Sequence, residues 1–376
     1  MVGEHHFTGL CGTLALVSAL CACNRHPPVI GFAYSRRSPN ATDVAREALA
    51  RRANGRGPEI RIERDSRASG PSLDVEMATR LVAIPGMAGV VGHQDSRGSL
   101  LAAPIYAEAR IPLVIPTATS RLLQTASPWV FTLAPDDSAE GAFIAEFAVT
   151  TLGAKSIAVI YDNDEYGRGL RDGVRASLAQ RGRRLSAEAP IGAVCAAAGA
   201  ALGGEASIAL VTPRQAPPDV IVIAGRTGDA ACIGRQVAAR APGVQMIAGD
   251  GVEIDTSFVR RLGPAADSLY VVTFWYAELP HPGLDAFVEA TQRIVGRAPT
   301  PSEAMQFDAL MLLGLAIREV GGNPVAVRDY LAELGASRPP YPGVTGPISF
   351  APGRLRPLFM LRLRDGVGIP AVAGVP

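Results

Sequence analysis

Residues 90–120 read VVGHQDSRGSLLAAPIYAEARIPLVIPTATS, and their grammar sets the fold class. An apolar tail ends abruptly in Gly92, His93, Gln94, Asp95, Ser96 and Arg97. A helical pattern from Leu100 to Arg110 follows, then a second apolar run, Pro112 to Ile115, and a second polar cluster, Pro116 to Thr119. Strand, loop, helix, strand, loop is the order of a βαβ unit with a parallel sheet.

The pattern extends in both directions. Further strands are expected at Val29 to Ala33, Glu59 to Glu63 and Gly89 to Gly92, with helices at Asp43 to Ala53 and Leu73 to Ala83. After the junction TLAPDDSAEG and a helix from about Ser138 to Leu152, a second series begins. Its strands are expected at Ser156 to Tyr161, Ser207 to Thr212, Val220 to Ala224 and Gln245 to Ala248, with helices at Gly167 to Gln180 and Asp229 to Ala239. A strand VVTFWY from Val271, helices at Gly283 to Val295 and Ser302 to Val320, and the strands GPISF and LFMLRLR complete the chain. At 376 residues the chain is too long for one ordinary core. The expected fold is α/β: two doubly wound, parallel-sheet lobes joined by a hinge.

Composition narrows the function. The chain has 36 basic and 35 acidic residues, and Lys155 is the only lysine. Such a balance excludes a protein that neutralises nucleic-acid phosphates. The opening polar cluster allows a nucleophile with its base, or a loop that grips a ligand. Gly92 stands four residues before Ser96, so the G-x-S-x-G elbow of a serine hydrolase is absent. Gly167, Gly169 and Gly173 are spaced one residue too far for a dinucleotide fingerprint. DNDEYG from Asp162 has Tyr166 where a calcium loop needs Asp or Asn. No zinc-ligand spacing occurs, so no enzyme activity, no metal and no cofactor are expected.

Binding is the reading that remains. Polar clusters fall at the expected carboxyl ends of strands: Asp95 and Ser96, Pro116 to Thr119, Asp162 to Tyr166, Arg226 and Thr227, and Gly249 to Gly251. Ligands of open parallel sheets sit at those ends. Ser96 and Thr119 each precede a helical pattern, so their hydroxyls and the following amides suit an anion such as a carboxylate.

These stretches resemble the periplasmic branched-chain amino-acid-binding proteins, the type I solute-binding family of ABC transporters. The resemblance rests on the strand-GH-x-x-S-x-x-S turn, the I-Y-x-x-x-x-I step, the P-x-A-T loop, IAVIYDNDEYGRGL, GDGVEID and TGPISFAPGRLRP, in order. It implies that Ser96, Ala118 and Thr119 hold a ligand carboxylate from one lobe. Tyr166 would close over the ligand from the other, and Asp250 would pair with an α-ammonium. Arg226 stands where the family often has an aromatic residue, as a ligand contact or a solvated loop residue. The loop AYSRRSPNATD is shorter than the family's glycine-rich one, and its Arg36 and Arg37 would favour an anionic ligand or be solvated.

From Leu10 to Ala22 the chain is almost wholly apolar and ends in Leu20-Cys21-Ala22-Cys23. The run is too short to span a bilayer but suits a signal peptide, and its end resembles a lipobox with Cys23 as the lipidated residue. A buried N-terminal helix is the other reading of that run. Cys195 and Cys232 remain as a disulfide or two thiols. The expected organisation is a lipoprotein signal peptide at 1–23, one lobe of 24–134 with 272–345, and another of 135–271 with 346–376. The expected partners are an amino-acid-like ligand and an ABC permease, with the membrane reached through a lipid anchor only, at the periplasm or cell surface. A ligand-sensing regulatory ectodomain of the same fold is the alternative.

Overall fold

The computed structural model describes residues 26–34, 40–53, 61–64, 71–191, 217–279, 281, 283–353 and 356–375. Cys23, Arg36, Arg37, Cys195 and the strand expected at 207–212 lie outside the described residues; Cys232 is disulfide-bonded.

The first sheet comprises β1 (Val29–Ala33), β2 (Arg61–Arg64), β3 (Met87–Gly92), β4 (Leu113–Ile115) and β5 (Val130–Thr132). All its pairings are parallel, in the order β2-β1-β3-β4-β5. The crossovers include α1 (Asn40–Ala53), α2 (Pro71–Val82) and α3 (Ser96–Glu108). Val90, Leu113 and Ile115 cluster with Met77, Leu81 and Tyr106 of α2 and α3. Ile30, Phe32, Val91 and Val114 belong to the core that includes Val44 of α1. Covering both faces removes the need for a polar strand face, so these strands read as unbroken apolar runs.

The second sheet holds β6 (Ile157–Tyr161), β7 (Ala187–Pro190), β8 (Val220–Ala224), β9 (Gln245–Ala248) and β10 (Leu269–Thr273), all parallel. Along β8, Val220, Val222 and Ala224 join the core shared with α4 (Asp137–Glu146) and α5 (Glu165–Gln180). Ile221 and Ile223 join the cluster under α6 (Thr227–Arg240) and α7 (Thr256–Leu262).

After β10 the chain returns to the first sheet as α8 (Leu284–Val295), α9 (Pro301–Val320) and α10 (Pro324–Glu333), with α1 packing on α8 and α9, and β3 on α9 and α10. A short hairpin, β11 (Tyr341–Gly343) and β12 (Gly346–Ile348), precedes β13 (Leu358–Arg364) and β14 (Val367–Val375), which rejoin the second sheet. Among the described residues no single helix is long and apolar enough to cross a membrane.

Two details depart from the sequence reading. The second sheet ends in an antiparallel edge, β13 on β10 and β14 on β13. Asp365 and Gly366, with φ of 50° and 78°, make a two-residue turn, which permits only an antiparallel return. The strand expected at 271–276 stops at Thr273. Its hydroxyl donates to the Trp275 carbonyl (2.7 Å) and accepts from the Trp275 N–H (3.3 Å), which turns the chain out of the sheet. Trp275 is then buried against Phe287, and its indole donates to the Val344 carbonyl at 3.2 Å.

Candidate functional site

Strand order reverses between β1 and β3 in one sheet and between β6 and β8 in the other. Loops diverge at such points and leave a crevice at the carboxyl ends. Both crevices open on one cavity of about 540 Å³, within the ordinary size of a small-molecule site. All six residues singled out in the sequence, Ser96, Ala118, Thr119, Tyr166, Arg226 and Asp250, line it.

The opening cluster resolves as follows. His93 is fully buried: Nδ1 lies 2.7 Å from an Asp74 carboxylate oxygen and Nε2 lies 3.1 Å from the Tyr106 hydroxyl. Both ring nitrogens are engaged, so the ring braces α2 against α3 and is no base for Ser96. Asp95 caps α3 by accepting the Gly98 N–H at 2.8 Å, which puts Ser96 in the first helical turn, at the positive end of the helix dipole. The Ser96 oxygen accepts the Ser120 N–H at 3.2 Å, leaving its own O–H free to donate. The Ser120 hydroxyl bonds Glu165 across the cleft at 3.1 Å.

Thr119 is joined to the second lobe. Its carbonyl accepts the Asp137 N–H at 2.8 Å, and its hydroxyl is hydrogen-bonded to the Asp137 side chain. Burial pushes the Asp137 carboxyl up to about 8 against the lowering effect of the bond donated by Thr119, with the nearby Asp250, Asp136 and Glu165 charges adding to the rise.

The second-lobe wall is built around Asp250. Glu140, fully buried, accepts the Asp250 N–H at 2.8 Å, and the two carboxyl groups are hydrogen-bonded to each other. Burial, followed by the Asp250 charge, drives the Glu140 carboxyl well above its usual range. Burial raises Asp250 as well, but bonds from Glu140 and Tyr166 and the Arg226 charge pull it back. Both carboxyls are thus held above their usual range by burial, Asp250 with the stronger opposing contacts. The Tyr166 hydroxyl accepts the Gly251 N–H at 3.0 Å and is itself bonded to Asp250. A Cβ on Gly249 would fall 2.6 Å from that hydroxyl, so the approach requires glycine. Asp250 retains one buried carboxylate oxygen with no partner. Arg226 is neither simply solvated nor available as a free cation: it pairs with Asp162 and, at 2.6 Å, with Asp164, and lies 5.7 Å over the Tyr166 ring.

Residues 31–358 match the family model described as periplasmic binding protein. The chain belongs to that family. It is 27% identical over 337 residues to an amino acid binding protein of Pseudomonas aeruginosa, covering 85% of this chain and 87% of that one. It is 25% identical over 334 residues to Leu/Ile/Val-binding protein homolog 1 of Brucella suis, covering 86% and 85%. Among solved structures, the substrate-binding protein LivJ of Streptococcus pneumoniae in complex with isoleucine aligns with a TM-score of 0.79 at 21% identity, covering 93% of this chain and 100% of that one. A Rhodopseudomonas palustris solute-binding protein in complex with benzoate aligns at 0.76 and 16% identity, covering 93% and 98%. Both show the shared two-lobed fold. As a periplasmic binding protein the chain acts outside the cytoplasm, binds a small molecule and is not an enzyme.

The cavity of this periplasmic binding protein also contains residues that the sequence reading passed over: Tyr34, Phe274 and Gln306, with Glu253 and Asp255 on the loop after β9. Asp137 and Glu140 lie behind the wall. Their signal was present in PDDSAEG: Asp137, Glu140, Gly141 and Ile144 share one helical face, so two acids sit on the stripe that is buried.

Proposed function

We propose that this protein captures an amino-acid-like zwitterion between its lobes. Ser96, Ala118 and Thr119 receive the carboxylate, Asp250 receives the α-ammonium, and Tyr166 and Arg226 complete the second-lobe wall. The observation that carries this reading is the buried, unpartnered oxygen of Asp250 in the same cavity as the Ser96 and Thr119 hydroxyls. Unpaired buried acceptors are costly, and an ammonium is the partner that satisfies a carboxylate best. The named ligands of the relatives support the amino-acid class, and their transport setting is favoured over the regulatory alternative.

The lobes comprise residues 24–134 with 272–345 and 135–271 with 346–376. They close by bending at the crossovers near Thr132 to Pro135, Val271 to Thr273 and Thr345 to Pro347, because a ligand touching both walls stabilises the closed state. The lipobox-like Leu20-Cys21-Ala22-Cys23 supports removal of residues 1–23 and lipid anchoring at Cys23.

The test is calorimetric titration with the common amino acids and their N-acetyl forms, on the protein and on Asp250→Asn. Binding of at least one free amino acid is expected, absent for its N-acetyl form. Asp250→Asn is expected to weaken that binding by about 2–5 kcal/mol. Equal affinity in the variant would sink the assignment.

A further inference from the structure

The charge on the cavity wall is one-sided. Among the described residues, Asp95, Asp250, Glu253 and Asp255 line it, against Arg226 as the one basic lining residue; Arg36 and Arg37, in the loop after Tyr34, lie outside the described residues. Arg226 is committed to Asp162 and Asp164. Arg297 lies within electrostatic reach of Glu253 and Asp255, but its guanidinium is held by Glu303 through bonds of 2.7 and 2.9 Å. Asp95 and Asp255 each spend one carboxylate oxygen capping a helix, on the Gly98 and Phe258 N–H groups, and keep their charge in doing so.

The wall mixes polar and carbon surface in nearly equal parts. Among the described lining residues, the side chains without polar atoms, glycine apart, are Ala118, Val252, Phe274 and Pro301. A branched aliphatic side chain would leave polar wall groups facing hydrocarbon, at the cost of their hydration. A neutral zwitterion would leave the excess negative charge unanswered, and an anionic side chain would add to it.

We propose that the ligand is a cationic amino acid, bearing an ammonium or guanidinium group beyond its α-ammonium. This rests on the amino-acid reading above. With Asp250 given to the α-ammonium, Glu253 and Asp255 on the same loop receive the second cation. Asp95 contributes field from the opposite wall, where it already acts on Arg226 and Tyr34. Tyr34, stacked on Phe32 by one face, and Phe274 also line the cavity, and aromatic rings attract a cation without adding charge.

Calorimetric titration at low salt with L-arginine, L-lysine, L-leucine and L-glutamate tests this. Arginine or lysine should bind at least tenfold more tightly than leucine, and glutamate most weakly. In the double variant Glu253→Gln, Asp255→Asn, the ratio of cationic to leucine affinity should fall at least tenfold. Asparagine preserves the helix cap, so the fold is kept. Leucine binding more tightly than arginine and lysine would overturn the inference and leave the amino-acid reading intact. A ratio unchanged in the double variant would remove Glu253 and Asp255 from the site. Failure of every amino acid would overturn the underlying reading itself.

Discussion

Asp137→Asn isolates the proton held between the two lobes. In the native protein the Asp137 carboxyl is pushed up to about 8, against an ordinary 3.8. Between those values the folded chain keeps a proton that the unfolded chain has released. Stability therefore falls as pH rises, by about 1.4 kcal/mol per unit. The contribution is complete below the unfolded value and lost as pH passes the folded one. A span of about four units corresponds to about 5–6 kcal/mol. Relaxation and water entry around the ionised group reduce the expected figure to about 3–5 kcal/mol. Asparagine cannot titrate yet its side-chain oxygen can still accept from Thr119, so the variant lacks this slope while sharing the rest of the protein's titration. Urea unfolding of both proteins from pH 5 to 9 should give free energies that diverge in favour of the variant and level off near pH 8 to 9, with equal m-values. Part of the divergence belongs to Glu140, whose carboxyl is also raised by the Asp137 charge. Parallel stability curves across that range would refute the reasoning.

Two further substitutions test the framework that carries the site. Asp308 is fully buried and accepts the Val344 and Thr345 N–H groups at 2.9 and 2.8 Å, while Arg356 bonds the carbonyls of Thr345 (2.8 Å) and Leu133 (3.3 Å). Asp308→Ala strands those donors beside a buried guanidinium and should cost about 3–5 kcal/mol, read as a lower urea midpoint at constant m. Gly141 lies where α4 meets α5, and a Cβ there would come within 2.4 Å of the Val174 backbone nitrogen. Gly141→Ala should destabilise by about 1–3 kcal/mol and, by parting the helices that hold Glu140 and Tyr166, weaken ligand binding in the same titration.

Much of the strand content was legible because parallel strands covered on both faces are continuous apolar runs. Val29–Ala33, Val220–Ala224 and Gln245–Ala248 form where their composition places them. The short strands Val130–Thr132 and Ala187–Pro190 were not legible, since three or four residues carry too little periodicity. The extent of β10 was missed because the Thr273 hydroxyl, and not any change in hydropathy, turns Phe274 and Trp275 away from the sheet.

The site divides along the same line. Ser96, Thr119, Tyr166 and Asp250 stand at strand ends, where backbone geometry alone makes polar residues converge, so position in the chain was enough to mark them. The environments of His93, Arg226, Asp137 and Glu140 depend on partners far away in sequence. His93 is 19 residues from Asp74, Arg226 is 64 from Asp162, and Asp250 is 110 from Glu140. Local pattern carries the alternation of strand, loop and helix, because it follows from neighbouring residues and their burial. Which carboxyl keeps a proton, which arginine is already paired and which oxygen is left without a partner depend on low-dielectric contacts between segments that only the folded chain brings together.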